Sequence, residues 1–467
     1  MDHLGISNLI LKQVTSNMKE KILEVFNRCL SENHVPNEWK SSVISMLLKK
    51  KDEPRNVNNY RPISITPCLA RLFERMILAR LQEHLRKNNI LVKNQSGFRA
   101  HRSTKDNLLF ITQKITEQFN RKGKAITIMF DIASAFDKVW HQGLVYKLIK
   151  CKTPLYLIRI IEEFMKNRTF SVKVGSFTTT RQIIECGVPQ GAVLSPTLFS
   201  IFINDLPLKF EKNKKYSLLF ADDLVFLALY KKSRQYLENS TNTYLGELEK
   251  WSDKWRLTFA PSKCSYTVFT KGKKNAEEQN FNLKMYGEPI SKVNDPKFLG
   301  IRFDPYLSGK NQVDYIRSAS IDRLNILKII SHKSWQLDEC TVTKLYQSLI
   351  RSLIEYAGFQ FNLLSNANKN RLEALENNAL RIIYRKKREF GNDNLHRLAG
   401  LEPLETRLNR LNDRFLEKAE SFANPLISSL IDEYIEQREQ LSGLGAETPL
   451  GSSDYIKEVV KNMGTEL

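Results

Sequence analysis

Apolar and polar positions in this chain alternate with two periods, one of strands and one of helices, and a single interruption organises the rest. Leu218 to Phe220 and Leu224 to Leu229 are apolar, strand-like runs with room between them only for a tight turn. That turn carries Asp222 and Asp223. Two adjacent carboxylates in such an apolar stretch are costly to desolvate unless cations offset them, and a divalent metal ion does so economically. A surface hairpin whose Asp residues only supply turn propensity is the competing reading.

Two further segments favour the metal reading. The β-branched, apolar run Lys124 to Phe130 ends in Asp131, and a helical pattern follows from about Ser134 to Lys150. Asp131, Asp222 and Asp223 together form a set of carboxylates able to hold two oxygen-seeking cations, the arrangement that clamps both oxygens of an in-line phosphoryl displacement. The stretch Gly187-Val-Pro-Gln190-Gly191-Ala-Val-Leu-Ser195-Pro196 then precedes apolar Leu198 to Leu206. It reads as a Gly/Pro loop feeding a helix, with Ser195 as cap and Pro196 in the first turn. Glycines beside Gln190 let the backbone approach a ligand closely.

Helical spacing recurs over residues 1 to 48, ended by His34-Val-Pro36, and from about Ser233 to Trp255. Beyond Asp304 it returns in Val313 to Ile330, Cys340 to Glu355 and Arg371 to Arg388, the last ending in the basic run Arg385-Lys-Lys-Arg388. A chain of 467 residues supports two or three domains or one large multi-lobed one. Lys and Arg number 72 against 51 Asp and Glu, a net charge of +21 that points to a polyanionic partner, nucleic acid above all. From Phe422 on the balance reverses, with eight acidic residues against three basic ones, and Ser-Gly-Leu-Gly and Gly-Ser-Ser stretches there read as a partly disordered tail. Cys29, Cys68, Cys151, Cys186, Cys264 and Cys340 are scattered without metal-ligand spacing, which fits a reducing compartment rather than a disulfide scaffold. No apolar run reaches 18 residues, so a soluble, intracellular chain with no membrane partner is expected.

Phe-Asp131-x-x-x-Ala-Phe136-Asp, Gly-Val-Pro-Gln190-Gly and Phe-Ala-Asp222-Asp223 occur in the order and rough spacing of reverse transcriptases. More closely, the chain resembles the enzymes of jockey-like non-LTR (LINE-type) retrotransposons. The same pattern includes Pro36-x-x-Trp39-Lys40, Asn59-Tyr-Arg61-Pro-Ile-Ser64, Gln95-Ser-Gly-Phe-Arg99 with Arg102-Ser-Thr104, Pro261-Ser-Lys263-Cys264 and Phe298-Leu-Gly-Ile301. One such motif is weak, whereas eight in order are specific. The match departs at Phe220, where the broader family often has Tyr.

The resemblance implies an α+β right-hand polymerase architecture. Residues 1–34 would be an N-terminal helical extension, 35–303 fingers and palm with an antiparallel sheet, 304–421 a helical thumb and C-terminal helical region, and 422–467 the acidic, partly disordered tail. It implies an RNA-directed DNA polymerase working on an RNA template, a DNA primer and dNTPs. Asp131, Asp222 and Asp223 would hold two Mg²⁺ ions, with Mn²⁺ as the substitute. Lys263 would protonate the departing pyrophosphate. Lys49 (or Lys50) and Arg61 would face the incoming triphosphate, while Phe136 would select against a 2′-hydroxyl and Gln190 would shape the pocket. Arg99 and Arg102 would contact the template backbone, and Gly300 would sit in a hairpin gripping the primer end. Asp137 reads as structural. An endonuclease domain or protein outside this chain would be a further partner, and the site of action would be nuclear, with a cytoplasmic stage before import. Two rivals stand beside this reading: an inert RNA-binding remnant, and an RNA-dependent RNA polymerase with the same palm.

Overall fold

A computed structural model of the chain describes residues 2–49, 55–206, 214–231, 234–272, 280–441 and 448–463. Helices α1 (Asn8–Gln13) and α2 (Ser16–Glu32) start from side-chain caps, Ser7 accepting from the Ile10 amide and Thr15 from that of Met18. A short α3 (Asn37–Lys40) leads into strand β1 (Ser41–Leu48). The helical pattern expected through residue 48 therefore stops at Lys40. From Val43 on, β1 pairs antiparallel with β2 (Tyr60–Ile65), and that ladder takes the backbone groups a helix would have used.

Next come α4 (Cys68–Lys87), α5 (Thr104–Asn120), β3 (Lys124–Phe130), α6 (His141–Lys150) and α7 (Leu155–Met165). The helix expected from Ser134 begins only at His141, because Ser134 has left-handed backbone (φ +50°) and Ala133 to Lys138 form consecutive turns. Strands β4 (Arg168–Val174), β5 (Phe177–Thr178) and β6 (Gln182–Ile184) precede α8 (Ser195–Phe202), β7 (Lys215–Phe220), β8 (Asp223–Tyr230) and α9 (Arg234–Trp255). Then follow β9 (Ser265–Phe269), β10 (Lys284–Met285), β11 (Glu288–Pro289), β12 (Ser291–Lys292), β13 (Lys297–Phe298) and β14 (Ile301–Arg302). The remainder is helical: α10 (Lys310–Ile330), α11 (Glu339–Tyr346), α12 (Ser352–Tyr356), α13 (Asn366–Tyr384), α14 (Asn392–Ala399), α15 (Leu404–Ser421), α16 (Pro425–Leu441) and α17 (Asp454–Met463).

The architecture is α+β. One sheet runs β2-β1-β4-β5, with β6 also on β4; the other runs β12-β9-β3-β8-β7, with β3 antiparallel to both β8 and β9. Strand alternation lets this second sheet serve two cores. Ile126, Ile128, Phe130, Leu224, Phe226 and Ala228 face the core shared with α4 and α6 to α9. Ala125, Val225 and Leu227 face the core shared with α5 and the C-terminal helices.

The C-terminal segment departs from expectation. Leu426, Ile427, Leu430 and Ile431 of α16 are buried with α5, and Leu450 and Ile456 are buried as well. An acidic composition does not prevent packing when the apolar residues recur at helical spacing, so Pro425–Leu441 and residues 448–463 are ordered structure rather than tail. The Ser-Gly-Leu-Gly stretch lies outside the described residues.

Candidate active site

The β7–β8 turn is built of two residues, Ala221 and Asp222, since Phe220 pairs with Asp223. Ala221 has φ +56°, a left-handed conformation unfavourable for a residue with a Cβ. Gln95, itself 1% exposed, holds it there. The Gln95 amide donates to the Ala221 carbonyl at 3.2 Å, and its oxygen accepts from the Ala221 amide at 3.1 Å and the Gly97 amide at 2.8 Å. Asn94 and Asn107 extend the brace to the Ser217 and Leu219 carbonyls at 2.7 and 2.9 Å. Gly97 is required by space, because a Cβ there would stand 2.1 Å from the Ala221 nitrogen.

Asp131 follows β3 directly. Phe130 pairs with Leu224, so the next step of the register sets Asp131 beside Asp223. Three carboxylates thus share one end of the sheet. The Asp223 carboxyl is pushed up to about 6 by burial, then by the charges of Asp222 and Asp131. Burial and Asp131 also raise Asp222, while Arg61 acts in the opposite direction. Lys263 Nζ lies 3.4 Å from an Asp131 oxygen. Hard oxygen donors carrying unrelieved mutual repulsion suit a divalent cation such as Mg²⁺ or Mn²⁺. Among the described residues, no three His, Cys, Asp or Glu side chains are drawn together into a ready-made cage. The acids fit such an ion by donor chemistry and shared location.

Phe136, in the turns that follow Asp131, is half-buried, stacked on Phe199 with centroids 4.7 Å apart and met edge-on by Phe98 at 6.1 Å. Gln190 donates to both Asp137 carboxylate oxygens at 3.0 Å, and its carbonyl accepts from the Ser64 amide of β2 at 2.7 Å. Asp137 is therefore the partner that orients Gln190. Arg61 is exposed on β2, opposite Leu47, with its charge felt at Asp222. Lys49 is exposed just past the end of β1, and Lys50 lies outside the described residues.

Three expectations change. Arg102, expected to face the template, is instead turned into the protein: its side chain is 4% exposed, paired with Asp106 at 3.8 Å and hydrogen-bonded to Asn424. Arg99 is half-buried and donates from Nη1 to the Val92 and Gln95 carbonyls at 2.7 and 3.1 Å, so it braces the Gln95 segment. Ser195 does not cap α8; its buried hydroxyl has no hydrogen-bond partner among the described residues, and the amides of Val193 and Leu194 go instead to Glu74. Gly300 does occupy a hairpin turn, between β13 and β14 at φ +84°, where a Cβ would meet the Tyr356 ring at 3.2 Å. Its close approach is thus to α12. Gln95 escaped the sequence reading as a support for the acids, although its motif was visible, because nothing local shows that it reaches the turn 126 residues on.

Residues 48–303, more than half of the chain, match the family Reverse transcriptase (RNA-dependent DNA polymerase). The chain belongs to this family. It is 27% identical over 414 residues to the RNA-directed DNA polymerase from mobile element jockey of Drosophila melanogaster, covering 87% of this chain and 44% of that protein. Against the jockey protein of Drosophila funebris the values are 28% over 368 residues, 77% and 39%. The chain spans less than half the length of these curated relatives. A solved apo telomerase from Candida tropicalis aligns with TM-score 0.44 and 11% identity, covering 97% of this chain and 74% of that one. The matched residues include the sheet β12-β9-β3-β8-β7, whose one end carries the three acids.

Proposed function

We propose that this chain is an RNA-directed DNA polymerase of a jockey-like non-LTR retrotransposon, extending a DNA primer with dNTPs on an RNA template. The observation that carries this reading is the meeting of Asp131, Asp222 and Asp223 at one sheet end, with Lys263 beside Asp131. Bound Mg²⁺ or Mn²⁺, two ions held by Asp131 and Asp222 with Asp223 completing the cluster, would activate the primer hydroxyl and neutralise the triphosphate. Arg61 would add a fixed cation toward the phosphates, with Lys49 beside it on the fingers. Lys263 would give its proton to the departing pyrophosphate. Phe136 would close the space a 2′-hydroxyl needs.

The +21 charge supports a nucleic-acid partner. No helix among the described residues is long and apolar enough to cross a membrane. The chemistry calls for action on DNA in the nucleus after synthesis in the cytoplasm, and an endonuclease activity outside this chain would supply the primer end.

Primer extension on an RNA template with Mg²⁺, run beside Asp222→Asn, tests the proposal. Product from the wild type alone supports it. No product from either chain, with RNA binding retained, establishes the inert remnant instead. Product from both shows that the acids have been misassigned.

A further inference from the structure

The segment that carries Gln190 is tied down at three places. At its start, the Gly187 amide donates to the Val139 carbonyl and the Val188 amide to that of Phe136, both at 2.8 Å. In the middle, Ser64 of the fingers binds the Gln190 carbonyl, and a Cβ at Gly191 would stand 2.8 Å from the Ser64 oxygen. At its end, one oxygen of Glu74 takes the amides of Val193 and Leu194 at 2.7 and 3.1 Å. Those amides lie just before α8, on its N-cap Leu194 and the residue ahead of it, where the positive end of the helix dipole favours an anion. The N-cap itself, Leu194, has no side chain able to cap the helix.

Glu74 is an expensive choice for this task. It is 2% exposed, on α4, and separated from Val193 by 119 residues. Burial raises its carboxyl pKa, while the two amides and the charges of Arg168 and Arg71 act against that rise. Arg168 is fully buried and packs its guanidinium 4.4 Å from the Phe164 ring centroid. A neutral side chain could fill the space between α4 and α8 at far lower desolvation cost. What a carboxylate adds is a fixed, directional hold on two backbone amides next to the nucleotide loop.

We propose that Glu74 is a positioning residue for the nucleotide pocket: its buried carboxylate anchors the α8 end of residues 187–194 and so fixes where Gln190 stands. This rests on the polymerase reading. Glu74 touches neither primer nor nucleotide and acts through the loop.

Glu74→Gln keeps shape and loses charge, and Glu74→Asp keeps charge but is too short to reach both amides. Steady-state primer extension with varied dNTP, duplex binding, and hydrogen exchange at Val193 and Leu194 are measured for each. For Glu74→Gln the dNTP KM should rise about tenfold with kcat changed by less than about twofold, the mark of lost ground-state positioning. Exchange at the two amides should quicken, while primer–template affinity stays as in the wild type. In a Gln190→Ala background, Glu74→Gln should change KM by less than about twofold, because coupled residues are not additive. If KM and exchange are unchanged in a folded variant, or if kcat, KM and duplex affinity all deteriorate together, the proposal is overturned. Should Glu74→Gln fail to fold, Glu74→Asp decides by the same criteria. A wild-type chain without extension activity sinks the polymerase reading, while the exchange rates still show whether Glu74 holds the loop.

Discussion

The acid-bearing end of the sheet β12-β9-β3-β8-β7 and the face covered by α5 are held by opposite physics. At the front end, Asp131, Asp222 and Asp223 are crowded and electrostatically strained, with Asp223 pushed up to about 6. Behind the sheet, α5 is buried from Asp106 to Asn120, and three of its polar side chains are matched with partners from the C-terminal segment. Asn424 donates to Asp106 at 2.9 Å, Gln113 accepts from the Leu450 amide at 3.0 Å, and Lys114 is paired with Glu433. The front would be more stable without its charges, and the back would be less stable without its pairs. Function sits where stability has been given up, on a frame that compensates for it.

The largest expected effect separates these roles. Asp222→Asn should lower primer extension by at least about 10³-fold, because charge aimed at a developing transition state dominates such sites. Its thermal midpoint should hold or rise. A carboxylate whose folded pKa is raised destabilises the native state above that pKa, and the substitution removes it. A falling midpoint, read by calorimetry, would mean that Asp222 also supports the fold.

Gln95→Leu comes next. It keeps bulk and removes every hydrogen bond to Ala221 and Gly97. A turn relaxed by about 1 Å would misplace Asp222, so kcat should fall about 10²-fold with the dNTP KM little changed. A loss confined to stability would assign Gln95 to the frame alone.

The converse holds at the back. Arg102→Met leaves Asp106 buried with its charge partner gone, at a cost of about 3 kcal/mol in unfolding free energy. Activity at low temperature should survive. Arg102→Met with Asp106→Leu should recover part of the stability, since it is the orphaned charge that costs most. If Arg102→Met instead weakens template binding at unchanged stability, the template role expected from its motif returns.

Legibility in the sequence follows the same division. The acids, the two strands around Asp222 and the α9 region were readable because each signal is local: an apolar run, a turn, a helical period. The helical stretches read at Val313 to Ile330, Cys340 to Glu355 and Arg371 to Arg388 were readable for the same reason. What was not readable depends on residues far apart in the chain. Gln95 reaches Ala221, Glu74 reaches Val193, and Arg102 reaches Asn424 across 126, 119 and 322 positions, and no pattern in a single sequence encodes those meetings. Composition misled at the C-terminus, where an acidic balance concealed the apolar face that covers α5.

Phe136 stands at the border between the two regimes, and the smallest predicted effect tests which one governs it. Its ring stacks on buried Phe199, as a core residue would, yet it is only half-buried and meets exposed Phe98 at the cleft. Truncating a half-buried aromatic should cost about 2 kcal/mol, less than the 3–5 typical of a full core position. If the ring also excludes a 2′-hydroxyl, Phe136→Ala should reduce the preference for dNTPs over ribonucleotides by about tenfold, chiefly by improving ribonucleotide kcat/KM. Competing-substrate extension at a temperature well below unfolding reads that ratio directly. A destabilised variant with unchanged preference would place Phe136 in the frame, and selection against RNA synthesis would then have to come from another part of the pocket. A changed preference, even with stability lost, assigns one ring to both faces of the comparison.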